Sequence, residues 1–287
     1  PSEPDKFDWV GAIISASCLL VFLLTITNGH KTGWGSPFIL LSILVLIGLL
    51  TLFIWWENKS HSPMLDLRNF KHPNFSFSVS AGFLIFLGNS AVLFLTPFYL
   101  QRVLDLTPRE SGLVMVPGAI CMAVLGPLSG RLSDKFGWRI FTLTGLALCG
   151  TGLLIMTRLT PSSSILMVLP ALICHSSGMG IFYSPNVSAV LSTVARTRYG
   201  VVSAFLNLVR NSGNVTSIAI ATAIVTGTMG SQGYRPSLEH VQAGDASGIG
   251  SAFTSGLSNA FLFLSIFIFM AFILSLFKFN KPSASDT

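Results

Sequence analysis

The chain has 287 residues and a net charge of +6; 51% of it is hydrophobic, and only 10% is charged, where soluble domains average roughly 25%. With a mean hydropathy of +0.70, it has more apolar surface than a soluble domain of this length can bury, and lipid is the solvent that fits. The positive balance does not point to nucleic acid as a partner, because Lys and Arg sit at the ends of apolar runs and form no continuous patch.

A helix crosses a ~30 Å hydrocarbon core with about 20 apolar residues. In chain order, eight stretches meet that length: Trp9 to Asn28, Pro37 to Trp56, Phe75 to Leu100, Ser111 to Gly130, Ile140 to Thr157, Ser164 to Asn186, Val201 to Thr226 and Thr254 to Phe277. They are too long for strands and show no period-2 alternation, so the expected fold is an all-α polytopic membrane protein. The start, Pro1-Ser2-Glu3-Pro4, has neither an initiator Met nor a signal-peptide pattern, and a longer parent chain is expected. The segment Glu57 to Asn74 is polar and carries Pro63 and Pro73. It divides a leading helix pair (1–58) from a six-helix block (75–287), with 59–74 as a cytoplasmic linker. Gly227 to Ser251, rich in Gly, Ser and Gln, is expected to be a flexible external loop.

Loop charge sets the orientation. Eleven basic residues fall on one side (Lys6; Lys59, Arg68 and Lys71; Arg131, Lys135 and Arg139; Arg196 and Arg198; Lys278 and Lys281), against five on the other (Lys31, Arg102, Arg109, Arg158 and Arg235). The asymmetry predicts both termini in the cytoplasm, in a multi-pass protein of the plasma membrane. Arg210 alone lies inside a span.

The most specific string is Gly130-Arg131-Leu132-Ser133-Asp134-Lys135-Phe136-Gly137-Trp138-Arg139. Its two glycines permit a tight turn between helices, and Asp134 can pair with basic neighbours or cap the next helix. The string resembles the G-x-L-[AS]-D-[RK]-[FY]-G-[RK] loop of the major facilitator superfamily. Trp138 replaces the usual basic residue after the second glycine, with Arg139 following. The resemblance implies that this loop (Gly130, Asp134, Lys135, Gly137, Arg139) latches two helix bundles in one access state; the alternative is an ordinary basic connector. Ser62-Pro63-Met64-Leu65-Asp66-Leu67-Arg68-Asn69-Phe70, Pro97-Phe98-Tyr99-Leu100-Gln101 and Thr107-Pro108-Arg109-Glu110-Ser111-Gly112-Leu113 resemble the carboxyl-terminal part of fourteen-helix drug:proton antiporters. That likeness implies a missing amino-terminal six-helix domain as partner, a small amphipathic substrate, and protons as the coupling ion.

In the seventh span, Ser203, Asn207, Arg210, Asn214 and Ser217 are spaced 4, 3, 4 and 3, which confines them to an arc of roughly 80° at 100° per residue. A buried Arg costs at least ~2.5 kcal/mol near the bilayer centre, so Arg210 is expected to face a wet cleft or a partner. Snorkelling and bonds to helix-end carbonyls are the bland readings. Phe205, Leu208 and Val209, on the opposite face, suit packing or lipid. His175 either relays protons or bonds between helices, and Asn89 either lines a cavity or does the same. Ser176, Gly180 and Ser184 form a small-residue face, and so do Gly126 and Gly130.

All eleven acidic residues fall in loops or at span ends, so a proton carrier is expected in the missing half. Asp105 and Glu110 at the outer mouth could attract cations. Cys18, Cys121, Cys149 and Cys174 lie inside apolar runs without ligand spacing, and no metal or cofactor is expected. No GxSxG, HExxH or Walker A string is present, so no enzyme is expected. The function expected is gradient-driven, proton-coupled export of amphipathic drugs or small molecules. A facilitator-type importer or lipid translocator on the same fold is the alternative, and a non-transport membrane scaffold the second.

Overall fold

The computed structural model describes residues 8–32, 35–59, 67–236, 238 and 248–277. Among them are eight α-helices and no strand: α1 (Trp9–Thr32), α2 (Pro37–Lys59), α3 (Pro73–Phe98), α4 (Pro108–Phe136), α5 (Trp138–Met156), α6 (Ile165–Leu191), α7 (Tyr199–Ser231) and α8 (Ile249–Leu276). Local chemistry sets several of the boundaries. Asp8 accepts from the Gly11 backbone N–H at 2.8 Å at the start of α1. Thr107 and Glu110 form a reciprocal capping box ahead of α4, with Pro108 as its first residue. Ser164 caps α6 by accepting from Leu166 N at 3.2 Å. Pro97 removes a donor near the end of α3, and a π-turn, Tyr99–Val103, follows it.

Seven of these helices are long and apolar enough to cross a membrane. The remaining one, α7, has 33 residues, about 50 Å at 1.5 Å per residue. Its polar stripe lowers its hydropathy, and α7 packs against α3 and α8, which buries Ser217 at the carboxyl-terminal end of the stripe and leaves Asn207 exposed. The main core joins Ala81, Leu95, Cys149, Leu172, Phe182, Val225 and Phe261, which places α3, α5, α6, α7 and α8 around one centre. Helices α1 and α2 pair with each other and reach the bundle through α7. The Trp56 indole N–H donates to both Asp8 carboxylate oxygens, at 3.0 and 3.1 Å, and clasps the pair at one end. The outer face of α2 (Leu40, Leu41, Leu44, Ile47) is exposed, as a lipid-facing helix requires.

Helix α6 lies between α4 and α5, and glycines set both contacts. A Cβ on Gly180 would come within 2.9 Å of the Met122 carbonyl oxygen. On the other face, a Cβ on Gly145 would lie 2.7 Å from the Gly178 carbonyl oxygen and the Phe182 nitrogen, and one on Gly152 would lie 2.6 Å from His175 N. The small-residue face of Ser176, Gly180 and Ser184 meets Gly118, Met122 and Gly130 of α4. Close backbone approach of this kind is how helices associate in lipid, where apolar burial supplies little drive.

Two local expectations are corrected. The 130–139 string is not a turn between two glycines, because α4 runs on to Phe136 and only Gly137, at φ 82°, breaks the chain. Gly130 is inside the helix against Ser184, and Asp134 occupies the last turn of α4, so it caps no helix. The segment Gly227 to Ser251 is not loop throughout: α7 continues to Ser231, Tyr234 and Leu238 pack against the core, and α8 starts at Ile249. Residues 237 and 239–247 lie outside the described residues, as do Ser62 to Asp66 of the linker string.

The loop-charge topology gives a direct labelling outcome. Asp134 and Ser162 are both exposed, at opposite helix ends. In intact cells, an impermeant thiol reagent is expected to modify Ser162→Cys and to leave Asp134→Cys unmodified until the membrane is opened. The reverse pattern inverts the topology.

Candidate functional site

The polar stripe of α7 divides along its length. Toward the carboxyl-terminal half it is a seam with α3. Ser217 is buried and accepts from the Ala91 backbone N–H at 3.0 Å, and Ser90 donates its hydroxyl proton to Asn214 Oδ1. Gly213 allows this approach, since a Cβ there would lie 2.9 Å from Phe86 Cβ. Asn214 therefore serves α3–α7 packing. Asn207 is exposed and donates back to the Ser203 carbonyl at 3.1 Å.

Arg210 lies between these two regions. It is half-buried, and its Nη1 donates to the Tyr183 hydroxyl of α6 at 3.1 Å. The guanidinium carbon also sits 5.8 Å from the centroid of the same ring, within cation–π range. Tyr183 is held edge-on against Phe86, at 5.9 Å between centroids. Its partner is thus a phenol of the same bundle, neither a headgroup nor a helix-end carbonyl.

Tyr183 also lines an open groove of about 600 Å³ between α4 and α6, together with Ala119, Met122, Gly126, Gly180 and Ser184. The small residues that bring the two backbones together leave this groove beside them. Tyr183 therefore borders an apolar recess, and its hydroxyl holds the Arg210 guanidinium behind it. Sequence reasoning missed Tyr183. The available signal was an aromatic residue with a polar tip inside an apolar helix, which needs a partner when buried. That Arg210 is the partner depends on the α6–α7 arrangement.

His175 and Asn89 come together. The His175 ring is buried, with Nε2 2.9 Å from Asn89 Oδ1 and Nδ1 3.2 Å from the Cys149 carbonyl oxygen. A neutral imidazole satisfies both contacts when Nδ1–H donates to Cys149 and the Asn89 amide turns its NH₂ toward Nε2. The Cys149 thiol donates to the His175 carbonyl at 3.2 Å. One polar knot thus ties α3, α5 and α6. Asn186, also missed from sequence, makes a second tie by donating to the Ser78 carbonyl at 3.0 Å.

In the 130–139 string, Asp134 and Lys135 are exposed in the final turn of α4. Arg139 donates to the Leu276 carbonyl at 2.7 Å and so satisfies an orphan acceptor at the end of α8. Glu110, at the start of α4, accepts from the Thr107 hydroxyl and backbone N–H through one carboxylate oxygen, at 2.8 and 2.9 Å. Among the described residues, no group of three or more His, Cys, Asp or Glu could hold a metal. All four cysteines are free.

The architecture is that of a polytopic helical membrane protein with a polar pair beside an open groove. Residues 9–218 match the Major Facilitator Superfamily, and the chain belongs to that family, whose members are transporters. It is 27% identical over 275 residues to the lincomycin resistance protein LmrB of Listeria monocytogenes, covering 95% of this chain and 57% of that protein. It is 30% identical over 218 residues to the riboflavin transporter RibZ of Clostridioides difficile, covering 76% and 46%. It is 26% identical over 220 residues to the multidrug resistance protein Stp of Mycobacterium tuberculosis, covering 77% and 41%. The chain spans about half the length of the curated relatives it matches.

The His175–Asn89 contact is expected to behave as a structural tie. Asn89→Ala and His175→Ala should each lower stability by about 1–3 kcal/mol, because each leaves a buried polar group unpartnered. The double variant should cost less than the sum, and thermal unfolding in detergent measures this. Strict additivity would show that the two side chains do not interact.

Proposed function

We propose that this chain is the carboxyl-terminal part of a gradient-driven secondary transporter that exports amphipathic small molecules in exchange for protons. In this reading residues 1–58 are two extra helices, 59–74 the linker, and 75–287 one of two bundles that rock about a site between them. The observation that carries it is the Arg210–Tyr183 pair at the margin of the α4–α6 groove. An amphipathic substrate needs an apolar recess for its body and a fixed polar group for its head, and the groove and the pair offer both. Two of the relatives named above carry drug or antibiotic resistance in their names. The riboflavin transporter relative supports, as the second reading, transport of a different small molecule on the same fold.

Asp134 is the acidic member of the latch. A carboxylate in the last turn of a helix opposes the macrodipole, at a cost of about 0.3–1 kcal/mol, so local stability gives no reason for it there. A contact to the opposite bundle in one access state does. Arg139, bonded to the end of α8, would carry movement of the latch into the bundle. The span interiors contain no carboxylate, and proton transfer is assigned to the part of the transporter that this chain does not cover.

Flux of a fluorescent cationic dye from vesicles holding the complete transporter tests this reading. Collapsing the proton gradient should abolish transport. Asp134→Ala should lower flux about tenfold at normal abundance, since a shift of ~1.4 kcal/mol in the access equilibrium suffices. Arg210→Lys should lose most activity, because lysine lacks the planar five-donor fork. Transport indifferent to the gradient would remove the antiporter assignment, and normal flux from both variants would remove the site.

A further inference from the structure

Helix α4 contains two prolines past its first turn, Pro117 and Pro127. Proline has no backbone N–H, so each leaves the carbonyl four residues earlier without its helical donor. For Pro117 that carbonyl belongs to Leu113, in the second turn. For Pro127 it belongs to Ala123, near the middle of α4. Both ends of this missing bond, Ala123 and Pro127, line the α4–α6 groove, and both are exposed. The gap in the helix ladder therefore opens on the groove. Pro170 and Pro185 of α6 free the carbonyls of Leu166 and Ile181, and neither of those residues lines it.

Its own helix offers the Ala123 oxygen no side-chain donor. Side chains that bond back to a helix carbonyl reach it from three or four positions on. Ser129 and Ser133 do so on this helix, donating to the Gly126 and Gly130 carbonyls at 2.9 and 2.8 Å. The corresponding positions for Ala123 are Gly126 and Pro127, which have nothing to donate. At mid-span the bilayer supplies no water for such a group. The result is a carbonyl acceptor beside an apolar recess of about 600 Å³.

At Tyr183 the polarity is reversed. Its oxygen accepts from Arg210 at 3.1 Å, which leaves the phenol proton to donate. Helices α4 and α6 run side by side in the same direction, with Gly118 at Ser176, Gly126 at Gly180 and Gly130 at Ser184. Ala123 lies three residues to one side of the Gly126–Gly180 contact and Tyr183 three to the other, about 9 Å apart along the axis at 1.5 Å per residue. Met122, Gly126, Pro127 and Gly180 form the floor between them, and among the described residues no charged side chain lines the groove. A few fixed polar groups in an apolar recess are what orient a ligand and select it.

We propose that the Ala123 carbonyl, freed by Pro127, is a specificity group of this groove and accepts a hydrogen bond from an N–H or O–H on the substrate. The apolar body of the substrate then lies along the floor toward Tyr183. This rests on the export reading above and names the chemistry that its site selects. Amphiphiles that carry an amine N–H, amide N–H or hydroxyl are preferred over fully alkylated counterparts of the same charge and shape.

The test uses two cationic rhodamine ethyl esters, one N-monoalkylated and keeping its amine N–H, the other N,N-dialkylated and without one. Fluorescence polarisation measures the binding of each to the complete transporter in detergent. The N–H dye should bind about fivefold more tightly, the fold-change of one typical hydrogen bond. Pro127→Ala restores the backbone donor to Ala123 and should bring the ratio of affinities to about one. Gly126→Ser should do the same with Pro127 and its kink in place. A Cβ there meets only the Gly180 carbonyl oxygen, at 3.9 Å, and the hydroxyl reaches back to Ala123 as Ser129 does to Gly126. Gly126→Ala, which adds the carbon without the hydroxyl, should retain the preference. Equal affinities in the unaltered protein would overturn the proposal, as would failure of both dyes to bind. A ratio that survives both Pro127→Ala and Gly126→Ser would also overturn it, and would leave Pro127 as a kink alone. A ratio that behaves as expected while dye flux ignores the proton gradient would remove the exporter reading and leave this one standing.

Discussion

Three helices of this bundle touch through their backbones, and the rest of the architecture follows from that contact. In lipid, two apolar helices gain little by burying side chains against each other, so close packing must supply the attraction. Gly145, Gly152 and Gly178 bring α5 against α6, and Gly118, Gly130 and Gly180 bring α4 against the other side of α6. A β-carbon at most of these positions would fall inside a neighbour's backbone or against its side chain. With α6 fixed between its two neighbours, its remaining side chains have few directions left. Tyr183 points to the α4–α6 groove and to Arg210, while His175 points to Asn89.

The polar groups of the interior sort by that geometry. Those that meet a second helix face to face are consumed in pairs: His175 with Asn89, Ser90 with Asn214, Ser217 with the Ala91 backbone. Unpaired polar groups in hydrocarbon are costly, so these bonds act as registers that fix one helix against another. Arg210 differs, because its partner is a phenol that lines a groove, and among the described residues no carboxylate takes up its other donors. The division between pairs that hold the bundle and a pair that borders open space separates the scaffold from the proposed site.

Much of this was legible in the sequence. Eight helices, their order and the small-residue faces of α4 and α6 follow from run length and from glycine and serine spacing. The family likeness is carried by the 130–139 string. What local pattern could not give is which helices neighbour which. The stripe Ser203–Ser217 reads as a single face, yet α3 takes Asn214 and Ser217 while α6 takes Arg210, because the stripe spans two neighbours. Tyr183 looked like one aromatic among many until α6 and α7 were adjacent. The extent of α4 was underestimated because Gly130 reads as a turn residue, whereas in lipid a glycine inside a helix marks a close crossing.

The α4–α6 contact can be measured most directly by cross-linking. With Cys18, Cys121, Cys149 and Cys174 replaced, a Gly130→Cys/Ser184→Cys pair places its β-carbons about 3.4 Å apart, close to the 3.5–4.5 Å of a disulfide. Mild oxidation in the membrane should join the pair nearly completely, while Gly130→Cys with Asn186→Cys, two residues further round α6, should stay reduced. A disulfide that forms at Asn186 and not at Ser184 would show that α6 presents a different face to α4, and the placement of Tyr183 beside Arg210 would fall with it.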